Sequence, residues 1–176
     1  MISAEILSED RGELLALLPS GAVCAEIGVW KGDFSQLILE LCQPRELHLV
    51  DPWEFAPNFP KRWYGGAKAK SQNDMDDIWR SVMQRFGMLP SVTIHKRKST
   101  EFAAECPDGY FDWIYVDGDH SYAAVLEDLE CWYPKLKRGG YISGDDYYWR
   151  DENQDYSVRR AVEWFVASKI SRLSAL

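Results

Sequence analysis

Five short apolar runs recur along this chain, four of them followed by a turn that carries glycine or aspartate, with helix-period stretches between them. That alternation does most to narrow the folds open to it. The runs at 22–27, 46–50, 91–95, 111–116 and 141–143 read as strands. The fourth (FDWIYV) is almost continuously apolar, as a parallel strand buried on both faces must be. Residues 3–18, 33–42, 67–87, 99–105, 122–136 and 157–168 read as helices. Asp33 is placed to cap the second, and Lys137-Arg138-Gly139-Gly140 to close the fifth. Strands alternating with helices predict a mainly parallel sheet covered on both faces, the doubly wound α/β architecture. No repeat, low-complexity run or Gly/Ser/Pro linker divides the 176 residues, so one domain is expected.

Charge limits what such a domain binds. The net charge is −8; residues 1–100 carry 13 acids and 12 bases, and residues 101–176 carry 15 acids and 8 bases. A second half this acidic argues against nucleic acid, whose phosphates require a positive field, and suits a divalent cation. No stretch approaches the roughly 20 apolar residues of a membrane span. The first fifteen residues are mixed and charged and do not read as a signal peptide. Cys24, Cys42, Cys106 and Cys131 are far apart with no CxxC pair, so reduced, mostly buried thiols and a cytoplasmic location are expected.

Ligands of open parallel sheets bind beyond the carboxyl ends of the strands, so chemistry is sought there. The first run ends in Glu26-Ile27-Gly28-Val29-Trp30-Lys31-Gly32. Gly28 would let backbone approach a ligand, Gly32 would ease entry into the helix, and the helix N-terminus favours an anionic group. This is not the dinucleotide pattern G-x-G-x-x-G. Asp51 follows the second run, where an acid can accept from both hydroxyls of a ribose or can cap the loop before Pro52. Ser99 follows the third, as a helix cap or a neighbour of an adenine ring. The fourth and fifth runs are followed by Asp117-Gly118-Asp119-His120 and Gly144-Asp145-Asp146. Carboxylates gathered this densely repel one another unless a cation joins them. Asp117, Asp145 and Asp146 offer the hard oxygens that suit magnesium, with calcium or manganese as alternatives. Residues 52–66, with three prolines and five aromatic rings, are too long for an ordinary connection. They form either a lid over a substrate or packing against the protein's own body. His48 and His95 lie within strands and read as structural.

EIGVWKG (26–32), HLVDPW (48–53), FDWIYVDGDHSY (111–122) and GGYISGDDY (139–147) together resemble class I S-adenosylmethionine-dependent methyltransferases. The closest likeness is to the metal-dependent small-molecule O-methyltransferases of the catechol and macrolide-sugar type. The resemblance, over about residues 20–165, implies a Rossmann-like sheet in order 3-2-1-4-5. It places Glu26, Gly28 and Trp30 around the methionine part of the cofactor, Asp51 on the ribose and Ser99 near the adenine. Asp117 would face the cofactor's amino group and, with Asp145 and Asp146, hold a divalent metal, expected to be Mg2+. His120 would be the base, and a hydroxylated small molecule or sugar the methyl acceptor. The catechol type carries Asp-Asn where this chain has Asp145-Asp146, and the sugar enzymes more often carry two acids. The family sheet normally ends in a further hairpin, for which residues 169–176 are too few; a partner subunit covering that edge, as in a homodimer, is one expectation. A methyltransferase that works without metal, using His120 alone, and a cofactor-binding module without chemistry remain open at this point.

Overall fold

The computed structural model describes residues 10–151 and 153–173, with side chains to residue 169. In chain order the elements are α1 (Arg11–Leu17), β1 (Val23–Ile27), α2 (Asp33–Cys42), β2 (Glu46–Asp51), α3 (Gln72–Phe86), β3 (Val92–Lys96), α4 (Ser99–Glu105), β4 (Phe111–Val116), α5 (Tyr122–Trp132), β5 (Leu136–Gly144) and α6 (Ser157–Leu173). The five strands form one all-parallel sheet in the order β3-β2-β1-β4-β5. This is the α/β architecture and strand order that the sequence led us to expect.

Side chains alternate across a strand, so each central strand feeds two cores. Cys24, Leu47, Leu49, Trp113 and Tyr115 face α1, α2 and α3, where Leu15, Phe34, Ile38, Met75, Val82 and Phe86 meet them. Val23, Ala25, Ile27, Val50 and Ile114 face the other way, onto Phe102, Ala103 and Trp132 of α4 and α5. A third cluster joins α5 to α6 through Val125, Leu129, Val158, Ala161 and Phe165. Burial at this scale, about 25 cal/mol per Å² of apolar surface, fixes the register of every inner strand. Among the described residues no helix is long and apolar enough to cross a membrane. All four cysteines are free, and Cys24, Cys42 and Cys106 are buried.

Several boundaries differ from those expected. Residues 3–9 of the first helix lie outside the described residues; α1 begins at Arg11, where Asp10 caps it by accepting from the Glu13 amide. The polar helix expected from 67 starts at Gln72 under a Ser71 cap, because the amides of Ala67, Lys68 and Ala69 bond back to Arg62 and Trp63. The fifth helix stops at Trp132 rather than 136. Pro134 lies in a single 3-10 turn, and the amides of Gly109 and Tyr110 take the carbonyls of Pro134 and Lys135, drawing the chain into the sheet. Lys137-Arg138-Gly139-Gly140 is therefore not a helix end but the early part of a nine-residue strand. The strand carries a bulge there: the step from Phe111 to Trp113 on β4 is matched by the longer step from Leu136 to Tyr141 on β5, with Gly139 at φ 83°. The last helix runs to Leu173, beyond the expected 168.

Candidate active site

The carboxyl ends of β1, β2 and β4 are laced together by backbone. The Gly28 amide donates to the Val50 carbonyl at 2.9 Å and the Asp117 amide to the Ile27 carbonyl at 2.7 Å. The approach is so close that a Cβ on Gly28 would lie 2.1 Å from the Asp117 carbonyl oxygen, and Gly28 sits at φ 89°. Gly32, at φ 78°, starts α2 where any Cβ would strike the Phe86 ring.

Asp51 anchors the turn between β1 and α2. Its Oδ2 accepts from the amides of Val29 and Trp30, and its Oδ1 from the amide of Trp53. Burial holds the carboxyl above its usual range, and these three amides offset only part of that rise. A carboxylate has about four acceptor positions, so about one is left open. Trp30, at φ 53°, is pinned further by Trp53, whose indole Nε1 donates to the Trp30 carbonyl at 2.8 Å.

Beneath this turn Glu26 is 1% exposed, and its carboxyl accepts from the Ser35 hydroxyl. Burial, against the hydrogen bond from Ser35, pushes it from an ordinary 4.5 up to about 8. The folded state then holds a proton that the unfolded chain releases above about pH 4.5, so this group's contribution to stability declines between roughly pH 4.5 and 8. Glu26→Gln is expected to remove that slope. The wild type should lose on the order of 3 kcal/mol between pH 5 and 7.5 that the variant keeps, at about 1.4 kcal/mol per pH unit. Urea unfolding at the two pH values checks it, and parallel curves for the two proteins would refute it.

Acids after β4 and β5 meet beside the same strand ends. His120 Nε2 lies 3.3 Å from Asp117 Oδ1 and 3.3 Å from Asp146 Oδ2. Donor atoms of Asp117, His120 and Asp146 all fall within 4.8 Å of one another, the sole such metal-capable group among the described residues. Burial works against the charged imidazole, but the hydrogen bond to Asp117 and the charges of Asp146 and Asp117 outweigh it, and His120 is held above its usual pKa. Burial also raises Asp146.

Asp145 takes a different position from the one expected. Its carboxylate turns to Arg11, whose guanidinium bonds Asp145 through Nε (2.7 Å) and Nη2 and Asp117 through Nη2 (3.0 Å). Arg11 also lies over the rings of Phe34 and Tyr115, at 5.2 and 5.9 Å. Sequence reasoning treated α1 as packing and missed this residue. The signal was a base in the first turn of a helix, where the macrodipole disfavours one unless carboxylates compensate. Ser99, whose expected roles were a cap or an adenine contact, does not cap: Lys98 occupies the N-cap, and the Ser99 hydroxyl bonds Asp128 and Trp132. His48 of β2 and His95 of β3 stack and hydrogen-bond at 3.0 Å, away from this group.

The 52–66 segment packs in part against the protein's own body. Trp53 is wholly buried. The Tyr64 hydroxyl donates to Asp119 Oδ2 at 2.8 Å, and the Arg62 guanidinium lies over the Trp149 ring at 5.0 Å. Trp149 in turn meets His120 edge-on at 5.4 Å. Trp63 contacts Trp30 at 5.8 Å yet stays 56% exposed, and Phe59 is 51% exposed, so both rings are free to meet something else.

A methyltransferase-domain family matches residues 25–147, from within β1 to just past Asp146. The uncharacterized protein R132 of Acanthamoeba polyphaga mimivirus is 42% identical over 61 residues, 35% of this chain and 26% of that protein, so the shared stretch spans about a quarter of the relative. Among solved structures, a Corynebacterium glutamicum protein superposes with a TM-score of 0.58 at 16% identity, covering 91% of this chain and 72% of that one. Spermidine synthase from Thermotoga maritima does so at 0.57 and 14% identity, covering 88% of this chain and 46% of its own. Such distant likenesses bear on the fold, and the family match on the chemistry. Together they make this chain a member of the methyltransferase-domain family, of the class I, S-adenosylmethionine-dependent type.

Proposed function

We propose that this protein transfers the methyl group of S-adenosylmethionine to a hydroxyl of a small molecule or sugar, assisted by a divalent cation. The observation that carries the reading is the convergence of Asp117, His120 and Asp146 at the strand ends where Glu26, Gly28 and Asp51 also lie. The carboxylates offer hard oxygens that fit Mg2+ or Mn2+. Asp117 and Asp146 would hold the cation, with Asp145 as the adjoining third acid. Such a cation supplies a lowered pKa to a hydroxyl and fixes its orientation. His120, poised between the two carboxylates, accepts the acceptor's proton, a role worth roughly 10²–10⁴-fold in rate. Glu26, Gly28, Trp30 and Gly32 shape the methionine end, Asp51 offers its remaining acceptor position to the ribose, and Asp117 faces the cofactor's ammonium. Trp63 and Phe59 are the rings available to cover an acceptor and keep water out.

A second reading has its own support. Arg11 already brings a positive charge to Asp117 and Asp145, which favours a methyltransferase that needs no metal and relies on His120 alone. Calorimetry with S-adenosylhomocysteine, with and without Mg2+ or Mn2+, followed by methyl-transfer assays on a panel of hydroxylated acceptors, separates the two. The metal reading expects binding of S-adenosylhomocysteine. It also expects turnover to fall about tenfold or more on exhaustive chelation, to return with Mg2+, and to fall likewise in Asp146→Ala. Full turnover after chelation and in Asp146→Ala would establish the metal-free reading. Absence of S-adenosylhomocysteine binding under every condition would end both.

A further inference from the structure

The first turn of α1 carries a cation into the acids that follow β4 and β5. Arg11 donates to Asp145 Oδ2 through both Nε and Nη2, and through the same Nη2 to Asp117 Oδ2. The other oxygen of Asp145 accepts from the Asp146 amide at 2.9 Å. Both oxygens of Asp145 are thus engaged, and the group able to hold a metal is Asp117, His120 and Asp146, with two carboxylates. A divalent cation that recruited Asp145 as a third would have to take Oδ2 from Arg11. It cannot share that oxygen at little cost, because two positive centres a few ångströms apart repel. Nothing strands Arg11 if it lets go. Its side chain is 39% exposed, so the guanidinium can swing into water. The helix stays docked without it, since Leu14, Leu15 and Leu18 are buried against the core from the second turn onward.

We infer that Arg11 gates the cation site: docked, it keeps Asp145 to itself; released, it yields Asp145 as a third carboxylate for a divalent cation. The inference rests on the cation-assisted reading above. Cation binding and the Arg11 contact then compete for one oxygen, so the site fills only above a concentration that Arg11 sets. Filling it frees the first turn of α1 while the rest of the helix stays in place.

Calorimetric titration with Mn2+ alone tests this on the wild type, Arg11→Gln, Asp145→Asn and the double variant. Arg11→Gln removes the charge and should tighten Mn2+ binding at least about tenfold. In the Asp145→Asn background the same change should gain less than about threefold, because no third carboxylate is released. Arg11→Gln binding Mn2+ no more tightly than the wild type overturns the inference and leaves the cation reading intact. So does an equal gain in both backgrounds, which would mean that Arg11 acts through its charge alone. If none of the four proteins binds Mn2+, the cation reading falls and the inference with it. A second measurement needs no variant. Trypsin cuts after Arg11 only when that side chain is free, so Mn2+ at saturation should speed cleavage between Arg11 and Gly12 about threefold or more. Cleavage there unchanged by saturating Mn2+ overturns the inference, and it decides the matter should Arg11→Gln fail to fold.

Discussion

Gly28→Ala is expected to cost about 4 kcal/mol or more of folding stability, a large part of the total for a domain of this size. Two effects add. A side chain at φ 89° is strained by about 1–3 kcal/mol, and its Cβ would lie 2.1 Å from the carbonyl oxygen of Asp117. Neither backbone can yield easily. The Ile27 carbonyl is tied to the Asp117 amide and the Gly28 amide to the Val50 carbonyl, so separating residues 28 and 117 breaks the sheet at its centre. Gly21 is the control: it too has a positive φ, 63°, but nothing lies within 4 Å of a Cβ there. Gly21→Ala should lose only the conformational part, about 1 kcal/mol. Urea midpoints of the two variants give the difference. Equal losses would mean that β1 and β4 do not approach as described.

Asp117→Asn should weaken S-adenosylhomocysteine binding by roughly 10–100-fold, the worth of a hydrogen bond to a charged group, and weaken divalent-cation binding comparably. The reason is that one carboxylate serves two neighbours at once. Oδ2 accepts from Arg11 and Oδ1 faces His120. An amide of the same shape keeps the fold but turns an N–H toward a donor on one side or the other. The unfolding midpoint is expected to move by no more than about 1–2 kcal/mol, because Arg11 keeps Asp145 as a partner. Calorimetry on folded variant protein is the check. Affinities within threefold of wild type for both ligands would remove Asp117 from the site.

The parts of this architecture legible in the sequence were those set by local periodicity. The apolar runs of β1, β2 and β4 and the helices at 33–42 and 99–105 were readable because burial on both faces, or on one stripe, leaves a pattern in adjacent residues. The end of α5 was misread because basic residues followed by two glycines resemble a helix stop. The backbone bonds that carry 136–140 into the sheet come from 109 and 110, distant in the chain. The same distinction applies to the crevice. Glycine and aspartate at strand ends mark the crevice locally, whereas Arg11 reaches Asp117 and Asp145 across more than a hundred residues. Which oxygen of Asp51 or Asp128 is occupied is likewise a fact of assembly and not of sequence spacing.

The bulge in β5 has a consequence for self-association. A straight outer strand offers a ladder of amides and carbonyls on which a second chain can grow, which is how sheets fuse into larger aggregates. Here that ladder is interrupted by a left-handed glycine at 139 and flanked by an exposed Arg138. Adding a strand along it would require straightening a kink beside a cation. A neighbouring copy docking on this border must therefore recognise side chains, and the molecule is guarded against the runaway backbone pairing that an even rim would invite.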